Sequence, residues 1–509
     1  MGKAAGQAFS LMGAVERLIG KLGDGRVASS AYSTAWAARW AMDTGPLFPE
    51  ARDWLRCHQH DDGSWGGIVE SPHDRLVSTL AAVLATKDID ESWAKIATQA
   101  GCDYLLRHTD AWRHSYGQTL GFDVVAPCLL GHAQAAGLLP ARCLDGLQEL
   151  RAERLLCFAG TSLLERPTSH LYHLEVLEPY VSAGEAAKFM SARGGFFTST
   201  AGTGAVWAAT GNDAALRFLQ RAHEFSGDGG MPELIIDIFE PAWALYLLSR
   251  AGIKPRVATA AGDRLFRLAR TVAPARGGLT WTEHVELADS DCTSMVANAL
   301  HAYGYDVASL TKQLLSFETD QHFLGFMQGE RRAAVTANGR VLEAFAREPN
   351  RYAHQIAKIV AFLEDTRHEG AWWIDKWHLS PYYATFTVVC GLVGVTPGRL
   401  GETWKWLLNT QHADGSWGMA GGLAEETAYA VLALNALEPF FGEPPADSYR
   451  RAFDYLRQHA ESRNFPELWI GRSLYTPSLV VEAAVLAAIS ISGAAAKDDL
   501  ESSRWISRQ

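Results

Sequence analysis

Two aspartates separated by a single serine, Asp289 and Asp291 in "HVELADSDCTSMVANAL" (284–300), stand just before a helix-like apolar stretch. Carboxyls this close disfavour double ionisation, which keeps one of them protonated. Such a pair can work as a general acid when its proton faces a dry pocket. At i, i+2 the two side chains do not share a helix face, so a turn or first helical turn must aim both at one site. The same residues also fit a helix cap, where an aspartate only accepts from free N–H groups of the following helix. Seventeen tryptophans add a second chemistry. Their π faces attract a cation without reacting with it, although they serve equally as core filler.

The elements that must position these groups read almost entirely as helix. "RLVSTLAAVLAT" (75–86), "FDVVAPCLLGHAQAAGLL" (122–139), "AWALYLLSRAG" (242–252), "SMVANALHAYG" (294–304) and "EETAYAVLALNAL" (425–437) place apolar residues at i, i+3, i+4 and i+7. Alternating runs are scarce, and an all-α chain is expected. "QHDDGSWG" (59–66) returns as "QHADGSWG" (411–418), each copy ahead of an Ala/Leu-rich helix. "SARGGFFTSTAGTGAVWAA" (191–209) and "SGDGGMPELIIDIFEPAWAL" (226–245) are weaker echoes. A Gly-rich turn recurring between helices predicts helical hairpins stacked in rings, with the Trp stacked on the Gln side chain to tie neighbours together.

Composition limits the rest. At 509 residues two or three domains are expected, and a net charge of -11 argues against nucleic acid or an anionic membrane surface as partner. The scattered cysteines form no C-x-x-C, which favours a reduced, cytoplasmic compartment. The N-terminal segment reads as neither signal peptide nor membrane span. G-x-G-x-x-G, Walker, H-E-x-x-H and G-x-S-x-G patterns are missing, as is D-D-x-x-D.

Together, "QxxDGSWG", "SSAYSTAWAA" (29–38), "DSDCTSM" (289–295), "DKWHLSPYY" (375–383), "RPTSHLYHLE" (166–175), "GDGGMPE" (227–233) and "LWIGRSLY" (468–475) resemble the class II terpene cyclases, in particular the bacterial labdane-type diterpene cyclases. The resemblance runs nearly end to end. It implies two α/α barrels, β and γ, with the active site between them: residues 1–40 as the first helix of β, 41–268 as the inserted γ barrel, and 269–509 as the rest of β. It implies an isomerase that protonates a terminal alkene of geranylgeranyl diphosphate and closes rings through carbocations. The product would be a bicyclic labdane-, halimane- or clerodane-type diphosphate, with the diphosphate retained. A downstream class I synthase or phosphatase would use it, and a homodimer is a further expectation.

By analogy with the family's D-x-D-D, Asp291 is expected to be the general acid and Asp289 its polarising neighbour; Cys292 replaces the last Asp. Asn338 of "AAVTANGRVLEAF" is expected to hold the acid, with Thr336 as the accompanying hydroxyl. Tyr172 and His173 stand where the plant members keep the terminating base. Trp281, Trp373, Trp377, Tyr382 and Tyr383 are expected to line the pocket. Arg75, Arg154, Arg340 and Lys376 are expected on the diphosphate, with Mg2+ held through Asp110 and Asp123. Two other readings stay open. One is farnesyl diphosphate cyclised to drimenyl diphosphate. The other is a non-catalytic α/α-barrel subunit that binds a lipid or prenyl group and carries Asp, Cys and His zinc ligands.

Overall fold

The computed structural model describes residues 10–144, 146–156, 163–178, 180–254, 259–326, 330, 332–419, 421–460 and 465–506. Helices dominate and close into two rings. In the first, Ala31–Arg39, Pro72–Thr86, Phe122–Ala135, the 3-10 segment Ser169–Val176 and Thr200–Thr210 pack in sequence, and the last returns to the first. In the second, Phe239–Arg250, Ser290–Ala302, Val335–Phe345, Pro381–Leu392, Ala424–Phe441 and Ser478–Ile506 do the same. Outer helices such as Ala353–Asp365 and Ala446–His459 back these inner ones. Both ends of the expected γ segment move. Ala31–Arg39 packs in the first ring, not in β, while Leu11–Ile19 packs on Ser478–Ile506. Phe239–Arg250, expected in γ, closes the second ring.

One hydrogen bond recurs where a turn enters an inner helix. A buried backbone N–H donates to a threonine hydroxyl in that helix: Trp65 to Thr79 at 3.0 Å, Phe196 to Thr203 at 2.8 Å, Met231 to Thr34 at 2.9 Å, Leu279 to Thr293 at 2.9 Å, Trp373 to Thr385 at 3.1 Å and Trp417 to Thr427 at 2.9 Å. Phe323 donates in the same way to Asn338 Oδ1 at 2.9 Å. This lock sets the rotation of each inner helix. The residues two positions before it in the second ring are Asp291, Thr336, Tyr383 and Glu425.

The two DGSW copies are built alike. Gln59 donates to the carbonyls of Gly63 and Ala97, both at 2.9 Å, and Gln411 donates to Gly415 at 3.0 Å and Ser448 at 2.9 Å. The Trp65 and Trp417 indoles donate to Leu55 O at 2.8 Å and Leu407 O at 2.7 Å. Gly63 and Gly415 sit at φ +91° and +92°, where a Cβ would lie 2.4 Å from the neighbouring backbone. Only glycine serves there.

A short buried hairpin, Trp469–Ile470 with Leu474–Tyr475, enters the seam between the rings. Leu120 N–H donates to Gly471 O at 2.7 Å, and Leu474 N–H donates to Asp74 Oδ1 at 2.9 Å. At its tip Arg472 is wholly buried. It donates to Glu175 at 2.7 Å and to Ser199 at 2.8 Å, and stands 3.5 Å from Glu233. A guanidinium removed from water needs such partners.

Candidate active site

A cavity of about 440 Å³ lies between the hairpin and the two rings. Buried Phe239, Asp289, Asp291, Cys292, Tyr383, Trp469 and Tyr475 line its closed end. Exposed Glu153 and Arg332 mark its mouth, with Gln118, Asp123, His170, Glu330 and Lys376 also on the wall.

Asp289 caps the Ser290–Ala302 helix. Its Oδ1 accepts from Cys292 N–H at 2.5 Å and its Oδ2 from the Thr280 hydroxyl at 2.6 Å. The cap reading therefore belongs to Asp289. With Asp289 at the cap, Asp291 falls in the first helical turn, 6% exposed and on the cavity wall. Burial, then the charge of Asp291, pushes Asp289 up to about 7. Burial likewise pushes Asp291 up to about 6, against the opposing pull of Arg340.

Arg340 corrects one expectation and replaces another. Expected on the diphosphate, it is 1% exposed, and its Nη1 donates to Asp291 Oδ1. Its Nη2 donates to the Tyr383 hydroxyl, and its guanidinium lies 4.8 Å over Trp243. Asn338, expected to hold the acid, uses its amide on Phe323 and on Ala334 O; it is the lock of its own helix. Thr336 gives its N–H to Asp375, and its buried hydroxyl has no hydrogen-bond partner.

The aromatic expectations divide. Trp281, Trp377 and Tyr383 line the cavity. Trp373 does not; its indole donates to Leu363 O at 2.7 Å in the core. Tyr382 is also off the wall and stacks on Trp406, 4.8 Å away. Tyr172 and His173 are both on the wall. Tyr172 donates to Glu233 Oε1 at 3.2 Å, and burial followed by Glu233 pushes its phenol well above the ordinary range. His173 packs over Gly121, where a Cβ would lie 2.5 Å from its ring.

Among the expected cations, Lys376 lies at the mouth, paired with Glu330. Arg75 does not; it is buried behind the first DGSW turn and donates to Ser64 at 2.9 Å. The side chain of Arg154 lies outside the described residues. Arg332, on the mouth and unnoticed in sequence, precedes the Asn338 segment without a motif of its own. Asp110 and Asp123 are not brought together: Asp110 is exposed and pairs with Arg113 at 3.0 Å, whereas Asp123 is on the cavity wall with Glu153. Asp237, Glu283 and His284 form the one metal-type cluster found among the described residues, and Arg264 bonds Asp237 there at 2.7 Å. Cys292 is not in it, so the zinc ligands of a binding subunit find no support.

Residues 330–470 match the squalene–hopene cyclase C-terminal domain. The type B diterpene cyclase of Mycobacterium tuberculosis is 30% identical over 92% of this chain and 96% of its own length. The ent-copalyl diphosphate synthase of Streptomyces sp. KO-3988 is 30% identical over 86% and 87%. Among solved structures, the ent-copalyl diphosphate synthase from Streptomyces platensis superposes with a TM-score of 0.79 at 27% identity, covering 95% of this chain and 99% of that one. With its paired helical rings and the Asp289–Asp291 carboxyls on the cavity between them, this chain belongs to the class II terpene cyclases.

Proposed function

We propose that the protein cyclises geranylgeranyl diphosphate to a bicyclic diphosphate by protonating its terminal alkene, with Asp291 as the acid. The observation that carries this reading is the placement of Asp291, its pKa raised by burial, at the closed end of an aromatic-lined cavity whose charged groups gather at the mouth.

A prenyl diphosphate entering tail first brings its distal alkene to the acid and leaves its diphosphate at the mouth. Arg340 occupies Asp291 Oδ1, so the transferable proton sits on Oδ2. As the alkene takes that proton, the carboxylate left behind is already paired with a guanidinium. This stabilisation grows as the proton leaves and therefore accelerates the step. Trp281, Trp377 and Tyr383 offer π faces to the migrating charge, each worth about 0.5–2 kcal/mol.

Termination falls to Tyr172 and Glu233. A C–H bond of the last cation breaks and its electrons form the alkene. The proton goes to the Tyr172 oxygen, which passes its own proton to the Glu233 carboxylate. His173 borders the same wall.

Lys376 and Arg332 supply cationic charge for the diphosphate. Asp123 and Glu153 fit Mg2+, which takes one or two carboxylates and completes its shell with phosphate and water. The ion would neutralise diphosphate charge when bound. Because the diphosphate lies far from the acid, it stays on the product, which then requires an enzyme that ionises or hydrolyses an allylic or homologous diphosphate.

The test is incubation with the C20 and C15 diphosphates, followed by dephosphorylation and mass spectrometry. A bicyclic alcohol from the C20 substrate is expected from the wild type, and unchanged linear alcohol from Asp291→Ala. Cyclisation by Asp291→Ala at the normal rate would reject the assignment; turnover of the C15 substrate alone would reject the substrate.

A further inference from the structure

Behind the cavity wall lies a second carboxyl that the reaction described above does not use. Glu425 is 1% exposed and stands two residues before the lock at Thr427, as Asp291 stands before Thr293. Its Oε1 accepts from the Trp469 indole at 2.8 Å, from His378 Nε2 at 3.2 Å and from the Tyr429 hydroxyl at 3.3 Å. Its Oε2 is buried with no hydrogen-bond partner. His378 Nδ1 accepts from Ser380 N–H at 3.0 Å, so the ring proton is on Nε2 and His378 is the neutral donor to Glu425. The indole can only donate. Three donors converge on that one oxygen, and among the described residues no lysine or arginine pairs with the carboxylate. Two of its neighbours reach the substrate side: Trp469 lines the cavity, and so does Tyr383, whose ring stacks on His378 at 4.3 Å. Tyr383 in turn accepts from Arg340.

We propose that Glu425 is the counter-charge of the cavity, a carboxylate set one ring behind Trp469 and Tyr383 that stabilises the cation as it forms along that wall. Before proton transfer, neutral Asp291, cationic Arg340 and anionic Glu425 sum to zero. Afterwards anionic Asp291 pairs with Arg340, and the substrate cation is balanced by Glu425. Without Glu425 these groups would carry one uncompensated positive charge in a poorly solvated lumen, on Arg340 before the step and on the substrate cation after it. An anion fixed behind a ring acts on the cation without being within reach to bond it, so the charge can migrate to the end of the cascade.

The inference rests on the cyclase reading above, which wild-type turnover of geranylgeranyl diphosphate tests by itself. In Glu425→Gln, the rate constant for cyclisation is expected to fall about tenfold or more with KM little changed, and monocyclic products to increase. Glu425→Asp, which keeps the charge, should recover most of the rate and the bicyclic product. Binding is measured in Asp291→Asn, where the acid is uncharged and turnover is blocked, using a ring-ammonium analogue of the bicyclic cation and its uncharged carbon counterpart. The ammonium analogue should bind at least about tenfold tighter. A folded Glu425→Gln enzyme with wild-type rate and products overturns the proposal. Equal binding of the two analogues to Asp291→Asn also overturns it, whether or not the Gln variant folds.

Discussion

At the scale of single residues the proposed acid depends on three groups: Asp291 to carry the proton, Asp289 capping the helix beneath it, and Arg340 holding one oxygen. Burial raises both aspartates, Asp291 to about 6 and Asp289 to about 7. In the proposed mechanism the neutral acid is the active form, so cyclisation should fall as pH rises through that window, by up to about tenfold per unit. A pH–rate profile from 5 to 9 checks it. Arg340 draws Asp291 down, so Arg340→Gln should move the fall to higher pH while lowering the plateau about 10²- to 10³-fold. Unchanged position and height would remove Arg340 from the mechanism. The same shifts bear on stability. The folded pKa values are raised, so the stability conferred by the neutral carboxyls is complete below the ordinary aspartate range and is lost as pH rises through about 6 to 7. The Asp289–Asp291 pair stood out because two carboxyls before an apolar helix suit a cap as well as an acid, and the fold puts Asp289 at the cap and Asp291 on the cavity wall. Arg340 was not. On the helix it lies two residues past Asn338, and only the lock of Asn338 onto Phe323 turns it toward Asp291.

At the scale of elements, the threonine locks determine which side chains enter the lumen. Thr427→Val keeps the shape of the side chain but leaves the buried Trp417 N–H unpaired, a loss of about 1–3 kcal/mol. Thermal unfolding should show it as a lower Tm, with the product pattern shifted because Glu425 follows the same helix. A loss no larger than that of a surface substitution would count against the lock. The repeat was visible in the two DGSW segments, where tryptophan recurs. It was fainter at Phe196 and Met231 and hidden at Leu279, because the shared feature is a backbone N–H and a threonine that stand at unequal distances in sequence. The helix content followed from periodicity. Which ring claimed Ala31–Arg39 did not, because a short helix buried on several sides carries no mark of its neighbours.

At the scale of the whole molecule the rings are joined through Arg472, whose guanidinium meets Glu175 and Ser199 and lies 4.4 Å over Tyr172. Arg472→Met would strand buried Glu175 and Glu233 without their cation, costing about 3–5 kcal/mol. Denaturant titration should show the loss. Cyclisation should fall with it, since Tyr172 borders the cavity and its partner Glu233 accepts from Arg472 N–H at 2.6 Å. A variant as stable and active as wild type would show the seam to be held elsewhere. The hairpin that carries Arg472 has a consequence for assembly. Asp74, Glu175 and Glu233 precede the hairpin that completes their bonding by 400, 297 and 239 residues, so the early ring is finished only after that hairpin has been made. Contacts of such high sequence separation make folding slow. They also mean that Asp291 acquires its enclosed surroundings only once Trp469 and Tyr475 have joined the wall.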